Sequence, residues 1–236
     1  MVQPTIKLTK NFFEKKAWAE DHFVCGIDEV GRGCLAGPLV VGAAIVPPHT
    51  TYRLLKDSKV LSESQRNEAY SWITTHCTWA ISYASPDVID TINIYQATLF
   101  AMKKAYLNLI PQLPFPHEKL RTVLVDAMPL NLSSVAHHPE LEVFHFNYGE
   151  RFSSSIAAAS IVAKVTRDRL MEKLHHSFPA FDLCHNKGYA TKHHLTALLA
   201  HGPSIIHRSS FVSNILAAAQ SEKASQQTLF DGKMCP

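Results

Sequence analysis

An α/β sandwich with a helical C-terminal portion is the fold class this sequence predicts, and three observations carry the prediction. Five short apolar stretches of strand length are bounded by Gly, Pro and polar residues. Helical patterning falls between and after them. With 236 residues and 46% apolar content, the chain can bury one core of ordinary size.

The elements follow in order. Lys10 to Asp21 reads as a charged N-terminal helix or arm. Phe23 to Asp28 reads as a buried strand, and Leu39 to Val46 as a second, stopped by Pro47-Pro48. The Gly-rich corner between them suits a hairpin. Ser62 to His76 patterns as a helix, with Ser62 as N-cap and Gln65 at the capping-box position. Trp79 to Ala84 is a third strand. Ile92 to Leu109 is an amphipathic helix whose stripe is Ile92, Tyr95, Leu99, Met102, Ala105 and Tyr106. Thr122 to Asp126 and Leu141 to Phe146 are the fourth and fifth strands. A long helix runs from Ile156 to His176 after Ser153-Ser154-Ser155, any of which can cap it. Its first turns, Ala157-Ala158-Ala159-Ser160, are small enough to lie close against a neighbour. Shorter helices are expected at Thr191 to His201 and Ser213 to Gln220. The organisation is then an arm (1–21), an α/β core (22–176), a helical C-terminal portion (177–220) and a loose tail (221–236).

Composition excludes several classes. The longest apolar run, Leu39 to Val46, is too short to cross a bilayer, and the first twenty residues carry charges rather than an apolar signal core. A cytoplasmic protein without a membrane partner is the expectation. Five widely spaced cysteines with no C-x-x-C argue against a disulfide framework. No H-E-x-x-H is present, and Cys184-His185 lacks partners at finger spacing, so the pattern predicts no zinc site. Residues 1–150 carry a net charge of −2, and residues 151–236 carry +5 with seven of the fourteen histidines. That asymmetry suits phosphate held on one side, and suits an ordinary solvated surface equally well.

Asp28 and Glu29 close the first strand, Asp126 closes the fourth, and Glu150 follows the fifth beside Gly149. Buried strand ends tolerate charge only when something compensates it. Hard divalent cations such as Mg2+ or Mn2+ are the natural counter-charge for clustered carboxylates. A turn or cap role remains open for each acid taken alone. Neighbours on an ideal strand face opposite sides, so Asp28 and Glu29 share a site only if the strand bends at its end, which Gly31 and Gly33 would permit. The corner Gly31-Arg32-Gly33-Cys34-Leu35-Ala36-Gly37 is no dinucleotide loop, because an acidic pair precedes it and Pro38 leads into a strand.

The run Gly26-Ile-Asp28-Glu29-Val-Gly31-Arg32-Gly33-Cys-Leu-Ala-Gly37-Pro38 resembles the opening signature of the type 2 ribonucleases H, ribonuclease HII in particular. Five further blocks resemble the family in order: Asp57-Ser58-Lys59, Ile92 to Met102, Val125-Asp126, Ile156 to Asp168, and Asn186 to Thr191 with His207 to Phe211. The resemblance implies a ribonuclease H-like five-stranded mixed sheet flanked by helices. It implies an endonuclease that hydrolyses the RNA strand of RNA–DNA hybrids and cuts at single ribonucleotides embedded in duplex DNA. Two Mg2+ or Mn2+ ions would take part, and 3′-hydroxyl and 5′-phosphate ends would be left. It maps the catalytic, metal-binding acids onto Asp28, Glu29, Asp126 and Glu150, the last departing from the family's usual Asp. Backbone groups of Gly31, Arg32 and Gly33 would approach the 2′-hydroxyl that distinguishes RNA from DNA. Tyr189 would meet the same sugar, and Lys59, Lys164, Lys187, Lys192 and Arg208 would contact phosphates. Asp168 pairs more naturally with Arg167 or Lys164 than with a metal. Ribonuclease HIII is disfavoured by the 27 residues before Asp28, too few for its extra N-terminal domain. The tail segment Gln226 to Phe230 resembles a pentapeptide that docks on bacterial sliding clamps. A monomer is the simplest expectation.

Overall fold

The structure is a computed structural model that describes residues 9–135 and 138–218. In chain order its elements are α1 (Phe12–Ala19), β1 (Phe23–Val30), β2 (Leu39–Ile45), α2 (Glu63–His76), β3 (Thr78–Ala84), α3 (Pro86–Leu109), β4 (Leu120–Asp126), β5 (Glu142–Phe146), α4 (Ser154–Ser177), α5 (Leu183–Asn186) and α6 (Lys192–His201). Residues 209–218 form a last helix, α7. Among the described residues no helix is long and apolar enough to cross a membrane.

The five strands make one mixed sheet in the order β3-β2-β1-β4-β5. The β1–β2 and β2–β3 pairs are antiparallel, and the β1–β4 and β4–β5 pairs are parallel. Strand alternation sorts the core into two layers. Cys25 and Ile27 of β1, with Val123 and Val125 of β4, pack on Ala97, Ala101, Met102 and Ala105 of α3. The opposite face carries Ala44 of β2 against Ala157, Ala158 and Ile161 of α4. Val24 and Leu124 meet Ile156 on that same face.

Helix α4 lies almost on the sheet backbone. A Cβ on Gly26 would come 2.1 Å from the Ile156 nitrogen, and one on Gly42 would come 2.3 Å from the Ala159 carbonyl oxygen. Glycine is required at both places, and the small run Ala157 to Ser160 supplies the other half of the close approach. Ser153 caps α4 by accepting from Ile156 N–H at 3.1 Å. The capping box of α2 forms as the pattern predicts, with Gln65 N–H on Ser62 Oγ and Ser62 N–H on Gln65 Oε1.

Three boundaries depart from the sequence reading. Helix α3 begins at Pro86, capped by Ser85, and is broken at Asn93 (φ 66°, ψ 164°), whose side-chain oxygen restarts it by accepting from Gln96 N–H. That break turns Ile92 and Tyr95 outward, and the buried stripe runs instead through Ala97, Ala101, Met102, Ala105 and Leu109. Strand β1 continues to Val30 in unbroken register with β2, so it does not bend at Asp28. Helix α7 starts at residue 209 rather than at Ser213, because Asp90 accepts the backbone N–H groups of Ser209 and Ser210 and so caps it from outside.

Candidate active site

The parallel ladder between β1 and β4 ends at Ile27 and Val125. One step further along each strand stand Asp28 and Asp126, on the α4 face of the sheet. Glu29 comes one residue later, past the end of β4. No neighbouring β4 residue screens it there, so its side chain can turn around the rim toward Asp126. This explains how adjacent residues of a straight strand join one site, where the sequence reading required a bend.

Burial and repulsion show in the ionisation of these groups. Asp28 is held well above the ordinary aspartate range, first by burial, then by the charges of Glu29 and Asp126. Glu29 is pushed up to about 7 by burial, with Asp126 adding and the Arg32 guanidinium opposing. Arg32 Nη1 lies 3.5 Å from Glu29 Oε1, while Glu29 Oε2 is buried with no hydrogen-bond partner among the described residues. Glu150 is buried and shifted upward, mainly by desolvation, with Asp126 and Asp57 contributing.

Neighbouring groups hold each acid. Asp28 Oδ1 accepts its neighbour's N–H, that of Glu29, at 2.7 Å. The Ser160 hydroxyl of α4 stands beside the Asp28 carboxylate and favours its charged form, and Ser160 itself lies 3.0 Å from Ser58 Oγ. Asp126 Oδ1 accepts Gly149 N–H at 2.8 Å. A Cβ on Gly149 would stand 3.3 Å from that oxygen and 2.5 Å from Ile156 Cδ1, so only glycine brings the N–H this close. Glu150 follows in the 3-10 turn Gly149–Arg151, and Lys10 Nζ donates to its carbonyl oxygen at 2.9 Å. Sequence reasoning missed Ser160, Ser58 and Lys10. Ser160 sits on the face of α4 that meets the strand, a signal visible only once the helix is docked.

The loop after β1 is built from backbone. Gly31 and Gly37 adopt positive φ (92° and 80°) and lie in the left-handed region that glycine favours. Gly188 takes φ 86°, and its carbonyl oxygen accepts Leu35 N–H at 2.8 Å, fastening this loop to the segment that carries Tyr189. Tyr189 is half exposed, and its hydroxyl lies near the Cys34 thiol. Gly33, Lys59 and Lys192 are exposed, Arg32 is half-buried, and Gly31 is buried beneath the loop. Lys164 pairs with Asp168 at 2.9 Å, and Lys187 with Glu172 at 2.7 Å.

Arg208 departs from its expected place. It is wholly buried, and its guanidinium donates to the carbonyl oxygens of Gly31, Arg32 and Gly37 at 2.7, 2.8 and 3.0 Å. With its donors spent on backbone, it braces the loop from within rather than meeting a phosphate. Arg167 of α4, which the sequence reading offered only as a partner for Asp168, does the same for Ala36, Pro38 and Lys187. The tail segment Gln226 to Phe230 lies outside the described residues.

Comparison with known proteins agrees with this arrangement. The sequence profile of the family described as Ribonuclease HII matches residues 25–214. The chain is 43% identical over 202 residues to the Ribonuclease HII of Lactobacillus gasseri, covering 84% of this chain and 74% of that protein. Among solved structures, the ribonuclease H2 from Pyrococcus horikoshii superposes with a TM-score of 0.65 at 25% identity, over 83% of this chain and 98% of that one. The RNase HII of Archaeoglobus fulgidus, solved as a PCNA:RNase HII complex, gives 0.60 at 27% identity, over 79% and 93%. The mixed sheet, the acids at its rim and a family match reaching from the first acidic strand into the last helix lead to one conclusion: this chain belongs to the ribonuclease HII family and is a hydrolase of nucleic acid.

Proposed function

We propose that the chain is an endonuclease that hydrolyses the RNA strand of RNA–DNA hybrids and cuts at single ribonucleotides embedded in duplex DNA, leaving 3′-hydroxyl and 5′-phosphate ends. The observation that carries this reading is the convergence of Asp28, Glu29 and Asp126 at one sheet rim, with Glu150 beside them. The donor set is all carboxylate, Asp28, Glu29 and Glu150 are raised by burial and repulsion, and one Glu29 oxygen is buried without a partner among the described residues. Such a set fits hard divalent ions, Mg2+ or Mn2+, which Asp28, Glu29, Asp126 and Glu150 would hold. Two bound ions would supply Lewis-acid activation of water and neutralise charge at the scissile phosphate.

The remaining work falls to the chain. The Ser160 hydroxyl and the Gly149 N–H fix the orientations of Asp28 and Asp126. The backbone of Gly31, Arg32 and Gly33 continues directly from the acidic strand, and nothing lies within 4 Å of a Cβ built on Gly33, so a sugar has room to approach there. Its 2′-hydroxyl is the atom that separates RNA from DNA. Tyr189 offers an aromatic face beside that backbone. Lys59 and Lys192 stand exposed for phosphate contacts, and Lys164 would have to leave its 2.9 Å pair with Asp168 to join them. The helical portion 177–220 is the part of the chain given to substrate.

The test is duplex DNA containing one ribonucleotide, incubated with and without Mg2+ or Mn2+. Metal-dependent cutting at the ribonucleotide, with a ligatable 5′-phosphate, is expected. Binding with no cleavage under either ion would overturn the proposal. The relative solved with PCNA supports a sliding-clamp contact for this chain through Gln226 to Phe230. Deleting the residues after Lys223 should abolish retention on immobilised clamp, and undiminished retention would refute it.

A further inference from the structure

At the far end of α4 from the acids, a second set of metal-ligating side chains comes together. Ligand atoms of His175, Asp182 and Cys184 all lie within 4.8 Å of one another. His185 stands beside the set, its Nδ1 hydrogen-bonded 2.6 Å from Asp182 Oδ1 and 3.2 Å from Cys184 Sγ. Cys184 Sγ is 3.4 Å from the same Asp182 oxygen. In a tetrahedral site with metal–ligand bonds of about 2.0–2.3 Å, ligand atoms stand roughly 3.3–3.7 Å apart. His175, Asp182 and Cys184 need only a modest adjustment from their spacing of at most 4.8 Å to reach that geometry. A second observation points the same way: His175 Nδ1 is buried and has no hydrogen-bond partner among the described residues. A buried ring nitrogen without a partner is costly unless something is there to meet it.

We propose that His175, Asp182 and Cys184 form a three-ligand zinc-binding site separate from the acidic centre, with the fourth position open to solvent. The donor chemistry selects the metal. Thiolate and imidazole suit zinc, whereas Mg2+ and Mn2+ prefer the all-oxygen set at the sheet rim. Separation follows from helix geometry. Ser160 contacts Asp28, and His175 lies fifteen residues further along the same helix, about 22 Å at 1.5 Å per residue. The sequence conceals the site because its ligands come from two elements. His175 is in the last turn of α4, and the chain then reverses through Phe178 and the left-handed Asp182 into α5. A bound ion would tie the end of α4 to the segment that leads through Lys187 and Gly188 to Tyr189.

The test uses the full-length chain, stripped with chelator and titrated with Co2+ as a spectroscopic probe. Near-ultraviolet thiolate-to-cobalt absorption saturating at one equivalent is expected, displaced by Zn2+ and untouched by excess Mg2+. Cys184→Ser should abolish the band, and His175→Gln should weaken binding at least tenfold. Asp126→Asn should leave the band unchanged. Absence of a thiolate band, or a band that survives Cys184→Ser, would overturn the proposal. Cys184 is half-buried and isosteric with serine, so that variant decides the question even if His175→Gln fails to fold.

Discussion

Replacing Arg208 with alanine tests whether this residue is a brace or a phosphate contact. The side chain is fully buried, and desolvation lowers its pKa to about 10, so it remains charged at neutral pH. Its guanidinium makes four contacts to three carbonyl oxygens, those of Gly31, Arg32 and Gly37. Each buried acceptor left without a partner costs about 1–3 kcal/mol. Removing the cation returns part of the expense of having buried it. The net loss for Arg208→Ala is then about 3–5 kcal/mol, a large share of the ~5–15 kcal/mol available to a folded domain. With a urea m-value of about 2–3 kcal/mol/M, the unfolding midpoint should fall by roughly 1–2 M. Arg208→Lys should lie between, because an ammonium cannot span three carbonyls with the same fork. The salt dependence of substrate binding gives a second, independent readout. A lost phosphate contact would lower the log–log salt slope by about one; a lost brace leaves it unchanged. A midpoint within about 0.3 M of the parent, joined to a reduced salt slope, would refute the structural role and restore the surface one.

Three other substitutions or conditions follow from the same geometry. Asp126→Asn keeps the Gly149 N–H bond to the side-chain oxygen but removes a charge from the acid cluster, so cleavage should fall by at least about a hundredfold while binding of the ribonucleotide duplex holds; gel-shift and single-turnover assays check the two halves. Gly42→Ala places a methyl 2.3 Å from the Ala159 carbonyl oxygen, so α4 must shift off the sheet, at a cost of about 2–4 kcal/mol in urea unfolding, and an unchanged midpoint would contradict the packing. Glu29 has a folded pKa of about 7 against 4.5 for an ordinary glutamate, so the folded chain keeps a proton that the unfolded chain releases. Metal-free protein should therefore lose stability as pH rises from 4.5 to 7, on the order of 3 kcal/mol from this group, and no more above it. Mg2+ binds the ionised carboxylate and should flatten that slope; a metal-free midpoint that rises across the window would sink the account.

Much of the fold was legible because its signals are local. The capping box at Ser62 and Gln65, the small run opening α4 and the five apolar strands each depend on a few neighbouring residues. What escaped needed three dimensions. Asn93 looks like an ordinary helix residue until its left-handed backbone divides α3 and turns Ile92 and Tyr95 to solvent. Arg167 and Arg208 carry charge, and charge reads as surface in a sequence. Here both are buried because a glycine-rich loop offers more carbonyl oxygens than its own N–H groups can satisfy. Asp28 and Asp126 were readable as strand-end acids. Their joining with Glu29 depended on where β4 stops, one residue short of Glu29, and a strand's end is the least certain part of any pattern.

On the proposed function, the buried arginines also tie recognition and chemistry into one rigid unit. The loop 31–37 is covalently continuous with the acids of β1. Arg167 reaches it from α4, the helix that also positions Asp28 through Ser160, and the same guanidinium holds the Lys187 carbonyl oxygen two residues before Tyr189. Gly188 closes the circuit by accepting the Leu35 N–H. Tyr189 is thus referenced to Asp28 through one strand, one helix and a few backbone hydrogen bonds, with no exposed side chain in the path. A side chain at the surface could swing by several ångströms, and the selected bond would then drift along the duplex. Backbone contacts braced by buried guanidiniums cannot move that far without breaking several carbonyl bonds together, each worth about 1 kcal/mol or more. On the proposed function, the chain would thereby set the distance between sugar and acids before any substrate arrives, the preorganisation that cutting at one ribonucleotide would require.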